Sequence, residues 1–488
     1  MATRQHVGNE DVDRRSLFIG SCIALIATSV AFATVGDVMG ALKEEFVLTN
    51  LQVGYIGGAA LWGFAVSNII FAPLCDNLGM RFLVRLAFLG HVAGVAVMIF
   101  ATGFTMLFAG ALIIAMGNGL VEAACNPLVA TLYPDDKTVK LNQFHVWFPG
   151  GAVIGGLAAY ALTQLGIGSW ELKLALILVP TAVYGYMLLF RLFPDTEGVQ
   201  SGVSMGEMFK ATFTSPIFLL MLFCMALTAS IELGPNRWVP AVLQAGGIPG
   251  ILVLVWISGL MAVLRYFAKN TVTRLSPIGI LFFSSVVSGI GLYWLSYAET
   301  ALMAFLSATV FAVGVTYFWP TMLGFVNERV PRTGALGLGL MGGMGMAVVG
   351  LVTAPLMGDI ADSYAPDRMP FQETRAVMQQ TVDEFPSLAL RQGITEYDIQ
   401  NAVDLAGQAL AGIDENTQEL PPLETANALR AIVSTGVDNP TVSRAQEILG
   451  RADNYGGRMS FRWVAPVSLV LMLIFGGIWY RDRRRDAA

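Results

Sequence analysis

Residues 16–35 read SLFIGSCIALIATSVAFATV, twenty positions without a charge. About 20 apolar residues in a helix cross the hydrocarbon core of a bilayer, so this stretch predicts a membrane span. It is too long for the core of a cleavable signal, and no small-residue cleavage pattern follows it, so it reads as a retained first span. The same test carried outward predicts further spans at 52–75, 82–102, 104–132, 141–165 and 172–193. After a polar gap come 216–242, 250–268, 277–297, 300–324, 334–360 and 463–480, which makes twelve. The gap at 194–215 holds Pro194, Asp195, Glu197, Gly198, Ser201 and Ser204. It reads as a linker between two six-helix halves.

Composition agrees. The 488 residues are 55% hydrophobic and 13% charged, against about 45–50% and about 25% in soluble domains. So little charge cannot coat soluble domains of this size, which excludes a soluble enzyme, a disordered chain and a secreted disulfide scaffold. The net charge of −6 without a basic domain argues against nucleic acid as a partner. Cys22, Cys75, Cys125 and Cys224 lie in or beside apolar runs with no CxxC or Cys/His cluster, so neither a disulfide framework nor a metal site is expected. No G-x-x-x-x-G-K-[ST] or H-E-x-x-H occurs, so ATP drive, an enzyme and a resident cofactor are all disfavoured.

Lysine and arginine placement sets orientation. With the N-terminus inside, the cytoplasmic pieces hold Arg4, Arg14, Arg15, Arg81, Arg85, Lys137, Lys140, Arg191, Lys210, Lys269, Arg274, Arg329, Arg332, Arg481, Arg483, Arg484 and Arg485. The short outer loops hold only Lys43 and Lys173. The expected organisation is then a cytoplasmic tail (1–15), an N-terminal bundle (16–193), a cytoplasmic linker (194–215), spans seven to eleven (216–361), an outward insertion (362–460), and span twelve with a basic cytoplasmic tail (461–488). The insertion exceeds ordinary loop length. Ile399, Val403, Ala406 and Leu410 recur at helical spacing, and 371–391, 423–435 and 441–451 are amphipathic. A helical cap is expected.

A weak repeat relates the halves. Asp76-Asn77-Leu78-Gly79-Met80-Arg81 follows span two and Ala268-Lys269-Asn270-Thr271-Val272-Thr273-Arg274 follows span eight; each has an Asn four residues before an Arg. Such turns cap helices and offer positive charge to lipid headgroups. Six plus six spans with these turns resemble the major facilitator superfamily, and Asp76, Gly79 and Arg81 match its G-x-x-x-D-R-x-G-R-R signature, with Asn77 in place of the usual arginine. A narrower resemblance rests on three blocks: GDVMGALKEEFVLTNLQVGYIG (36–57), GNGLVEAACNPLVATLYPDDKTVKLNQF (117–144) and YFWPTMLGFVNERVPRTGALGLGLMGGMGMAVVGLVTAPLMGDIAD (317–362). They look like the fucose–proton symporter family. The insertion departs from it. The resemblance implies an all-α membrane protein of twelve transmembrane helices in two pseudo-symmetric bundles. It also implies a sugar carried with protons, or with sodium as in some members.

Ionised groups inside a membrane cost about 2.5–3.5 kcal/mol even on the lower scale, so they mark a cavity or pathway. Glu122 stands inside span four and Asp37 near the outer end of span one; both match acidic positions of that family, which implies proton coupling. Asn126, Asn142, Gln143 and His145 could bond sugar hydroxyls, while Trp147, Phe148, Tyr317 and Trp319 could stack on a sugar face or simply pack. Glu232, Asn236 and Arg237 flank a helix break expected at Gly234-Pro235. Arg265 matches a family arginine or snorkels to the interface. Asp76, Arg81, Glu232, Arg237 and Arg265 are the gating or structural candidates.

The expected protein is a monomeric transporter of the cell membrane, both termini inside, moving a monosaccharide or similar solute with protons. An exporter of another small organic solute, or a transport-inactive sensor using the insertion, remains open.

Overall fold

In the computed structural model, residues 8, 10–46, 48, 50–392, 396–413 and 420–486 are described. Their regular structure is helical throughout. Among the described residues, eleven helices are long and apolar enough to cross a membrane. A twelfth span is the pair Gly250–Tyr266 and Ala268–Leu275, bent by 65°.

The ends differ from expectation where polar residues continue an apolar helix. The first helix runs Arg14–Glu45, 32 residues or about 48 Å. It therefore outlasts the predicted end at residue 35 and carries Asp37 within it. Span five starts at Lys137 and is interrupted at Val146 between Lys137–His145 and Trp147–Gln164. Span seven is one helix, Pro216–Ala245, with Pro235 and Pro240 inside it, so the break expected at Gly234-Pro235 is absent. A lost donor is tolerated where neighbouring helices brace the turn, and Gly234 lies against Thr353 and Met357 of span eleven. Span eleven carries a π turn at Val349–Thr353 between Gly334–Val348 and Ala354–Tyr364.

The linker holds two short helices, Glu197–Gln200 and Met205–Thr214. Ser204 and Glu207 cap the second reciprocally, and the bonds from Ser204 hold the Glu207 carboxyl below the ordinary glutamate range. The insertion forms Phe371–Gln392, Glu396–Ala411, Pro422–Ser434 and Pro440–Val464. These enclose their own apolar core, including Met378, Phe385, Ala406, Leu429 and Ile432. The last of these helices crosses residue 460 without a break and stops just before Pro466, as helices do ahead of proline. Its Gly456 and Gly457 rest on Ala361 and Val242, which seats the insertion on the C-terminal half.

The halves meet unevenly. Toward the linker, Thr138 donates to Glu328 across them (Oγ1, 2.6 Å), and Asn142 Nδ2 to Thr321 (3.2 Å). Gly339 sits so close to Ala72 that no side chain fits between spans two and eleven. One core runs through both halves here. Toward the insertion the N-terminal half keeps a separate core of Val35, Val38, Ile56, Val95 and Trp170. The chain is therefore sealed on its linker face.

Candidate functional site

Near the middle of the bundle a cavity of about 30 Å³ is lined by Glu122, His145, Phe148, Glu232, Leu233, Arg265, Trp319 and Met346. Spans four, five, seven, eight, ten and eleven each contribute. The space admits one or two waters and no organic solute, as fits a site closed from the linker side.

Arg265 organises this centre, and two prolines explain how. In a helix the N–H of residue i+4 bonds the carbonyl of residue i, and proline has no N–H. Pro149 therefore leaves the His145 carbonyl without its helical donor, and Pro320 does the same to Thr316. Arg265 supplies both: Nε donates to Thr316 O at 2.6 Å and Nη1 to His145 O at 3.1 Å. Its Nη2 donates to Glu232 Oε1 at 3.0 Å. One guanidinium, 2% exposed, thus ties span eight to span ten and span seven, and across the halves to span five. It does not snorkel. Glu232 takes Arg265 as its partner rather than Arg237, which is exposed.

Glu122 is also 2% exposed but faces no cation at contact distance. Asn126, one turn on, donates its amide to the carboxyl. That leaves Asn126 Oδ1 as acceptor for His145 Nε2 at 3.1 Å, which assigns the ring proton to Nε2. His145 Nδ1 then turns its lone pair to Glu122 Oε1, 3.8 Å away. Two carboxyls and one arginine border the cavity, with Trp319 and Phe148 as flat walls. Among the described residues, Glu232 Oε2 has no hydrogen-bond partner.

The other candidates fall elsewhere. Asp37 accepts from Lys173 Nζ (2.6 Å) with 39% of its side chain exposed, toward the insertion face. Asn142 belongs to the seal between the halves. Gln143 is half-buried and outside the cavity lining. Trp147 is 37% exposed, its carbonyl held by Ser29. Tyr317 donates to Leu264 O in a separate small cluster. Asp76 accepts from Thr196 Oγ1 (2.6 Å) in the linker; burial raises its carboxyl above the ordinary aspartate range, and this bond opposes the rise. Arg81 donates to Leu189 O. Leu233 and Met346, which no sequence signal marked, complete the cavity.

Residues 17–368 match the family model described as Major Facilitator Superfamily. The cis,cis-muconate transport protein of Acinetobacter baylyi is 25% identical over 250 residues, 47% of this chain and 58% of that one. A hexose transporter of Saccharomyces cerevisiae is 26% identical over 144 residues, 28% of this chain and 25% of that one. The chain thus matches little more than half of one relative and a quarter of the other. Among solved structures, the transporter FucP in its outward conformation superposes with a TM-score of 0.60 at 18% identity, covering 72% of this chain and 93% of that one. The proton:xylose symporter XylE gives 0.56 at 13%, covering 71% and 89%.

Proposed function

Because the chain belongs to the major facilitator superfamily, we propose that this multi-pass membrane transporter moves a monosaccharide or similar neutral polyhydroxy solute together with protons. The observation that carries the reading is the charge balance of the cavity. Glu122 and Glu232 face one arginine, which Glu232 already engages. A dianionic solute such as muconate would meet surplus negative charge there. A neutral polyol would find carboxyl acceptors, an imidazole and the flat faces of Trp319 and Phe148.

The same geometry supports coupling. Ionised Glu122 is costly while the cavity is dry and becomes favourable when water enters. It therefore takes up a proton before occlusion and releases it on opening to the other side, as the halves rock about a central site. Uptake of a labelled sugar panel into proteoliposomes, with imposed proton or sodium gradients, tests this. Accumulation of a neutral sugar driven by a pH gradient is expected. Accumulation confined to organic acids overturns the substrate class, and drive by sodium alone overturns the coupling ion.

The positive-inside asymmetry supports a cytoplasmic linker. Gln200 ends a short linker helix and is exposed. In a background without the four native cysteines, Gln200→Cys is expected to resist a membrane-impermeant maleimide in intact cells and to react after permeabilisation. Labelling in intact cells reverses the orientation.

A further inference from the structure

A second cavity, of about 520 Å³, opens on the linker face of the C-terminal half, between the turn after span eight and the ends of spans ten and twelve. Arg274, Arg329 and Arg483 line it, with Ser276 and Pro277 at the start of the 19-residue helix of span nine. Two carboxylates also line it, and both are engaged. Glu328 accepts the backbone N–H and the hydroxyl of Thr138, and Asp482 binds Arg329. Among the described residues neither Arg274 nor Arg483 has an acidic partner. Arg483 instead lies 4.2 Å over the ring of Trp479, which is stacked on Phe282 and forms the wall.

The repeated turn sharpens the point. Arg81, the N-terminal counterpart of Arg274, gives its Nε–H to the Leu189 carbonyl. Arg274 has no such protein acceptor among the described residues and faces the cavity. The positive end of the span-nine helix adds to the field there. Tryptophan and arginine together at a span end mark the headgroup level of a bilayer, and basic pockets between spans at that level hold anionic lipid.

We infer that this pocket binds the phosphate of an anionic phospholipid headgroup, with Arg274 and Arg483 as its charge partners. A guanidinium fork matches phosphate oxygens, and the bilayer, rather than the aqueous phase, supplies the ligand at this depth. Arg329 adjoins Glu328, which ties span ten to Thr138 of the other half, so a headgroup held here touches the seal on the linker face.

The test uses purified full-length protein in detergent, titrated with dioctanoyl phosphatidylglycerol, dioctanoyl phosphatidylcholine or inorganic phosphate while the thermal midpoint is followed. Wild type is expected to rise with phosphatidylglycerol and not with the other two. Arg274→Gln/Arg483→Gln is expected to need about 30-fold more lipid for half the effect, the loss for two basic side chains at an anionic surface. Arg481→Gln/Arg484→Gln/Arg485→Gln, which removes tail charge outside the pocket lining, should respond like wild type. An equal response of the pocket variant, or an equal loss in the tail variant, overturns the site. Full reproduction by inorganic phosphate overturns the lipid as its source. Should the pocket variant not fold, native mass spectrometry of wild type decides: preferential retention of phosphatidylglycerol from an equal mixture with phosphatidylcholine supports the site, and no preference overturns it.

Discussion

Arg265→Met is expected to lower stability by about 3–5 kcal/mol and to abolish transport. The figure is that for removing one partner of a buried ion pair and leaving the other charge stranded. Here the stranded group is Glu232, and the carbonyls of His145 and Thr316 lose their donors as well. Arg265→Lys keeps the charge but presents one ammonium where a planar fork reaches three acceptors in three directions; it should recover only part of the loss. The proline argument gives a sharper check. Adding Pro149→Ala and Pro320→Ala to Arg265→Met returns to each helix the N–H that its proline withholds, and adding Glu232→Leu removes the stranded charge. The combined variant should regain most of the thermal midpoint in detergent while remaining dead in transport, because the cross-link between spans five, seven, eight and ten is gone. If Arg265→Met keeps the wild-type midpoint, the three bonds contribute nothing to cohesion.

The sequence reveals the helices of this fold because in lipid each backbone donor and acceptor must be satisfied within its own segment. Uncharged runs of the right length therefore have little choice. Helix ends are less legible. Nothing in 36–45 distinguishes a helix leaving the membrane from a loop, and the insertion's last helix passes residue 460 because no proline stops it before Pro466. Glu122 is visible as a charge among apolar neighbours, whereas Asn126, one turn later, reads as an amide for a sugar hydroxyl and not as the partner that the structure makes it. Counting leaves Arg265 open between an interior site and the interface. It sits at the end of a 17-residue helix that bends into another, so the end of an apolar run is not the edge of the membrane. Its true signal lies in other spans, at Pro149 and Pro320, and becomes legible only once tertiary structure brings those carbonyls together. The partner of Glu232 is hidden for the same reason: Arg237 is near in the chain, Arg265 is near in space.

Glu122→Gln is expected to abolish uphill accumulation driven by a pH gradient while leaving solute binding and counterflow exchange at least partly intact. Glutamine keeps the shape of the protonated acid and can still accept from Asn126, so the cavity wall persists. What it lacks is an ionisable site facing His145 Nδ1 at 3.8 Å. Coupling needs that site because the gradient performs work only through a proton that moves with the solute. The work is about 2.3 kcal/mol per charge at 100 mV plus about 1.4 kcal/mol per pH unit. Together, at 100 mV and one pH unit, these support roughly a 500-fold concentration ratio for one proton per solute, and a carrier without the proton site equilibrates at a ratio of about one. Counterflow exchange involves no net proton movement and so should survive. His145→Gln separates the two members of the pair: it retains an amide toward Asn126 but removes the facing lone pair, so it should weaken coupling without eliminating it. If Glu122→Gln accumulates solute like wild type, the carboxyl is not the coupling group. Asp37 then becomes the next group to neutralise, and its bond to Lys173 near the insertion face would make coupling a matter of the outer gate rather than of the central cavity.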